Sequence, residues 1–132
     1  MALTKTLQGL IERAERNGVA VKRVRKGSVM GSYTYVTNYS EWVKTTPMIE
    51  QWRVTNHKCT QDGVEYENII VDHYGTGICH IILNKTTGEN KLHMWYGESN
   101  SDRDALNGLM EYYNLPHRFV HRPVNGGFQM VC

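Results

Sequence analysis

Residues 64–115 read VEYENIIVDHYGTGICHIILNKTTGENKLHMWYGESNSDRDALNGLMEYYNL. This stretch predicts three short strands followed by one helix, and the fold class follows from it. Asp62-Gly63, Gly75-Thr76 and Thr87-Gly88-Glu89 separate runs rich in β-branched and aromatic residues. Glycine in a tight hairpin loop adopts positive φ without steric cost. The strands are expected at Val64–Tyr74, Thr76–Asn84 and Asn90–Tyr96. The middle one is apolar on both faces, with Ile78 and Ile82 on one side and Cys79, Ile81 and Leu83 on the other, as an interior strand should be. A helix is expected over Ser101–Tyr113. Ser101 would be its N-cap and Asp104 the far end of a shortened capping box. Ala105, Leu106, Leu109, Met110 and Tyr113 form one apolar stripe. Asn114 suits a left-handed cap, and Pro116 prevents continuation.

Outward from this segment the pattern stays α+β. Toward the C-terminus, His117–Pro123 and Phe128–Val131 predict a β-hairpin around Asn125-Gly126-Gly127. Toward the N-terminus, Met48–Lys58 restarts as a strand after Pro47, anchored by Ile49, Trp52 and Val54. Val19–Lys26 and Val29–Thr37 read as a basic hairpin turning at Gly27-Ser28. Residues 2–17 form an amphipathic helix whose stripe is Leu3, Leu7, Leu10, Ile11 and Ala14, closed by Asn17-Gly18. The expectation is one domain over residues 1–132, an antiparallel sheet (a meander over 64–96) with two helices and a C-terminal hairpin, its one sub-boundary near 62–63.

Composition narrows the function classes. The cysteines, Cys59, Cys79 and Cys132, are odd in number and form no Cys-x-x-Cys pair, which favours reduced thiols and a cytoplasmic setting. No apolar run approaches membrane-spanning length, so no membrane partner is expected. Net charge is +2 but uneven: residues 1–62 carry ten Lys and Arg against five acids, residues 63–132 five against eight. That asymmetry can steer a charged partner.

Three constellations are candidates for function. Lys22, Arg23, Arg25 and Lys26, with Tyr33, Tyr35 and Trp42, interleave charge and rings as a single-strand nucleic-acid surface does. The alternative is an edge strand blunted by basic residues. A sequence pI of 8.4, below the range of dedicated nucleic-acid domains, favours it. His73 and His80 lie on adjacent strands. A two-residue Gly75-Thr76 loop pairs His73 with Ile78 and puts both imidazoles on one face, with Asp72 nearby. They are the weak candidates for a metal or acid–base site. No His-x-x-x-His or Cys-x-x-Cys spacing supplies further ligands, so no metal, cofactor or catalytic residue is assigned. Cys79, mid-strand among isoleucines, reads as a buried and inert thiol. The remaining candidate is a contact surface built from the many aromatics.

The order of motifs also carries a resemblance. Asp72-His73-Tyr74-Gly75-Thr76 enters a hairpin, Thr87-Gly88-Glu89 turns it back, and Ser99 through Asn107 opens the helix. Over about Ile69 to Leu115 this resembles small α+β accessory proteins of bacteriophages and mobile elements of Gram-positive bacteria. The resemblance implies a non-enzymatic binding protein in the bacterial host cytoplasm. It would act by contact with a host protein such as a defence nuclease, as anti-CRISPR inhibitors do. No catalytic residues carry over. A nucleic-acid-binding protein is the alternative, and a small metal- or His-dependent enzyme the second alternative.

Overall fold

A computed structural model describes residues 3–25, 48–121 and 127–131. Helix α1, Lys5–Asn17, is capped by the Thr4 hydroxyl, which accepts from the Leu7 amide, and closed by Gly18 at φ 88°. It starts three residues later than the pattern suggests, because Thr4 is the first side chain able to take a free amide. Five antiparallel strands follow in sequence order across one sheet: β1 Val19–Arg25, β2 Met48–Gln61, β3 Val64–His73, β4 Thr76–Asn84 and β5 Asn90–Trp95. Helix α2, Asn100–Tyr112, comes next, and β6 Arg118–His121 pairs with β7 Phe128–Val131 in a separate two-stranded sheet. The fold is α+β, as the meander and the two apolar stripes lead one to expect.

Side-chain alternation decides where the core sits. Trp52, Val54, Ile69, Val71, Ile81 and Leu83 face the helices and are buried. They meet Leu7, Leu10, Ile11 and Ala14 of α1 and Ala105, Leu106, Leu109 and Met110 of α2. Each Val, Leu, Ile or Met among them contributes about 1.5–3 kcal/mol by leaving water. On the opposite face Arg53, Thr55, Asn68, Ile70, Asp72, His80 and Ile82 stay half-exposed. The hairpin β6–β7 is tied to α2 by Asn107, whose amide group donates to the Phe119 carbonyl and accepts from the Phe119 amide at 3.0 and 2.8 Å.

Several local expectations change. The N-cap of α2 is Ser99, not Ser101. The Ser99 hydroxyl accepts from the Asp102 amide, and Asp102 reaches back to the Ser99 amide. The C-terminal end is as expected: Asn114 sits at φ 57°, with Leu115 N–H donating to Met110 and Asn114 N–H to Glu111. The loop between β3 and β4 is Tyr74-Gly75, with φ 50° and 80°, so His73 pairs with Thr76 rather than Ile78. This loop and Asp62-Gly63 have positive φ at both positions, the signature of a type I′ turn that matches strand twist. Sliding the loop by one residue keeps facing parity. A bulge then reverses it: Asp72 pairs with Gly77 but Val71 with Cys79, leaving Ile78 extra. Ile78 and Cys79 are consequently both buried. Strand β2 extends to Gln61, and it is β2 that pairs with β1. The segment Val29–Thr37, read as the partner of β1, lies outside the described residues, as do Lys26, Tyr33, Tyr35 and Trp42.

Candidate functional site

The bulge separates the two histidines. His73 points to the helix-covered face and His80 to the other. The expected grouping of both histidines with Asp72 does not form: Asp72 and His80 share the half-exposed face, and His73 lies on the other. His73 instead meets an acid 29 residues away. Its Nδ1 lies 2.6 Å from Asp102 Oδ1, with both side chains about nine-tenths buried. One ring face stacks on Trp52 at 3.9 Å and 12°, and Tyr74 lies against the imidazole at 4.6 Å.

Asp102 is the hinge of this arrangement. Its second oxygen, Oδ2, accepts from the Glu98 and Ser99 amides at 3.0 and 3.2 Å. Burial pushes its carboxyl upward, but those amides and His73 outweigh burial and hold it below the usual carboxylate range. The ionised carboxylate can only accept, so His73 Nδ1 carries the hydrogen and donates it. Orientation of an imidazole by a buried carboxylate is the way acid–base histidines are held. Here the same carboxylate also fixes the start of α2, and no Ser, Thr or Cys among the described residues is hydrogen-bonded to His73. The pair works as a brace from the end of β3 to the start of α2. Nothing local announces it: Asp102 is readable as a capping acid, and it is chain reversal after β5 that carries it to His73.

Outside the brace the surface opens into a cleft of about 370 Å³, lined among others by His73, Tyr74, Tyr96, Glu98, Ser101 and Asp102. The Tyr96 hydroxyl donates to Glu98, and that bond raises the phenol's pKa. On its other side Tyr74 borders a second depression with Ile49 and Glu50. A separate cleft of about 460 Å³ lies at the far end of the sheet, between Lys58 and Glu67.

The remaining candidates disperse. Lys22 and Arg23 are exposed on β1, but a register shift falls between them, which interrupts a continuous basic row. Arg23 lies 3.9 Å from Glu50, which also holds Arg53 through paired hydrogen bonds that raise the Arg53 pKa. Glu50 thus offsets part of the basic character of this edge. Arg25 also has an interaction partner. His80 Nε2 meets Asn68 at 2.9 Å and its ring meets His93 edge-on at 4.8 Å. Partial burial, then the neighbouring His93, lowers the His80 pKa. No group of three or more His, Cys, Asp or Glu able to hold a metal ion occurs among the described residues. Cys79 is fully buried, and burial alone pushes its thiol up to about 12, so it is no nucleophile. No described helix is long and apolar enough to cross a membrane.

The chain matches no family model, and no curated protein and no solved structure matches it. The geometry above is therefore what supports a functional reading.

Proposed function

We propose that the protein is a non-enzymatic binding protein that works through contact with another protein. The observation that carries this is Tyr74. It is 53% exposed, held at the tip of a rigid type I′ turn, and flanked by one cleft toward Tyr96 and another toward Ile49. Exposed aromatics on rigid supports are the residues that anchor protein interfaces. Met94, 42% exposed, and Tyr96, 43% exposed, lie on the strand next to this turn and on the residues that follow it. The competing acid–base reading is weakened because no Ser, Thr or Cys among the described residues is hydrogen-bonded to His73.

The resemblance over about Ile69 to Leu115 extends the proposal. The protein would be an accessory protein of a phage or mobile element. Its partner would be a host protein of the bacterial cytoplasm such as a defence nuclease, inhibited in the anti-CRISPR manner. The test is capture with the tagged full chain from a Gram-positive lysate, followed by reconstitution of the purified pair on a sizing column. A stoichiometric complex is expected. Recovery of no specific protein would overturn the proposal. Steeply salt-dependent oligonucleotide binding, lost when Lys22, Arg23, Arg25 and Lys26 become Glu, would put nucleic acid in the partner's place.

A further inference from the structure

Two hollows at the sheet end away from Tyr74 form one groove. The cleft of about 460 Å³ between Lys58 and Glu67 adjoins an inner one of about 130 Å³, since Glu67 and Lys85 line both. Ile11 of α1, Ile69 and Leu83 of the sheet and Tyr112 at the end of α2 wall the inner hollow. It also reaches two buried polar residues, Asn56 and Glu67, which are only 7% and 8% exposed. Glu67 is satisfied. Its Oε1 accepts from Asn56 Nδ2 at 2.8 Å, and its Oε2 lies 3.5 Å from Lys85 Nζ. Asn56 is not satisfied. An ionised carboxylate only accepts, so the amide must turn its NH₂ toward Glu67 and its oxygen away. Asn56 Oδ1 then has no hydrogen-bond partner among the described residues. Exchanging the two ends of the amide would set two acceptors together and orphan the NH₂ instead. A buried acceptor without a donor is destabilising, so this position calls for one.

Size and charge narrow what the donor belongs to. A single water takes about 30 Å³ and wants two to four polar partners, whereas this hollow is several times larger and its walls are mostly apolar. Apolar hollows of about this size accept a six-membered ring. The ring must be neutral. An anion would meet the Glu67 carboxylate, and a cation would meet the Lys85 ammonium beside a Glu67 that is already paired. Glu15, the other acid of the lining, is exposed to water. We propose that the inner hollow binds a small neutral ring-bearing molecule, which donates an O–H or N–H hydrogen bond to Asn56 Oδ1 and packs its ring against Ile11, Ile69 and Leu83. This site lies apart from the contact surface around Tyr74, so it stands or falls independently of that reading.

Phenol is the simplest probe of this chemistry, and anisole is the same ring with the donor methylated. The ¹⁵N-labelled full chain is titrated with each, and with benzoate and benzylammonium as the charged arms. Phenol is expected to move the amide signals of Asn56, Ile69 and Leu83 saturably at about millimolar concentration, and to leave Gly75 in place. It should bind about fivefold or more tightly than anisole, the worth of one hydrogen bond to a buried acceptor. Anisole binding as tightly as phenol overturns the inference, and so does benzoate or benzylammonium binding as tightly or more so. The absence of saturable phenol shifts at these amides overturns it as well. Asn56→Ala removes the acceptor while keeping the backbone bond from the amide of residue 56 to the Gly18 carbonyl. This variant should bind phenol and anisole alike, and a surviving preference for phenol overturns the inference. Should Asn56→Ala not fold, the side-chain amide signals of Asn56 in the natural chain decide. They must shift with phenol at the same Kd as the backbone signals, and if they stay in place the inference is overturned.

Discussion

Asp102 concentrates more structural duty than any other polar residue described. Its oxygens hold His73 and two amides, so the loss of one side chain unpins a strand end and a helix start together. Asp102→Asn keeps the shape but turns one acceptor into a donor facing another donor. Urea unfolding is expected to show a loss of about 1–3 kcal/mol, whereas Ser99→Ala should cost about 1 kcal/mol as a simple cap deletion. The same residue sets an acid limit. Its folded pKa lies below the ordinary 3.8, so its contribution is complete above that value. It is lost as pH falls through the folded pKa. Thermal melts below about pH 4 should therefore fall more steeply for the natural protein than for Asp102→Asn. Parallel curves would show that other carboxylates govern acid unfolding.

At the scale of elements, two glycines in helices make opposite predictions. Gly108 of α2 faces Leu3, and a Cβ there would lie 2.9 Å from the Leu3 Cα. Gly108→Ala must push the chain before α1 off α2 and should cost about 1–3 kcal/mol. Gly9 of α1 has open space around it, so Gly9→Ala should stabilise by about 0.5–1 kcal/mol through helix propensity. Denaturation midpoints of both variants check the pair. Asn107 gives a third case. Its two hydrogen bonds fasten β6–β7, so Asn107→Ala should speed amide exchange at Phe119 while leaving β3 and β4 protected.

These elements show what a sequence reveals and what it hides. The positive-φ turn at Asp62-Gly63, the apolar stripes of both helices and the Asn114 closure depend on neighbours in the chain and are legible there, whereas the β3–β4 turn lies one residue earlier than its sequence suggests. The choice of N-cap is not legible either. Ser99 with Asp102 and Ser101 with Asp104 are equally good boxes locally. The structure uses the pair whose acid also satisfies His73, a contact across 29 residues. Facing parity was hidden for a related reason. The bulge at Ile78 lets two consecutive apolar residues enter the core, and it moves His80 away from His73.

For the whole molecule, one sheet face lies under two helices and the other is half-exposed, with the brace and its cleft at the sheet end where β3 turns into β4. Fold class was legible because strand order follows chain order, so each hairpin of the meander could be inferred from its own turn. The pairing of β1 with β2 was not, since that contact spans the intervening residues 26–47 and no local turn encodes it.

The burial of Cys79 in the core, with Cys59 exposed on β2, equips the protein with its own opening reporter. Under native conditions an alkylating reagent should label Cys59 promptly. Cys79 should be labelled only as often as the two layers part. Peptide mass mapping over time would then read the frequency of global opening directly from the Cys79 peptide, and a ligand that clamps the layers would slow that modification while leaving that of Cys59 untouched.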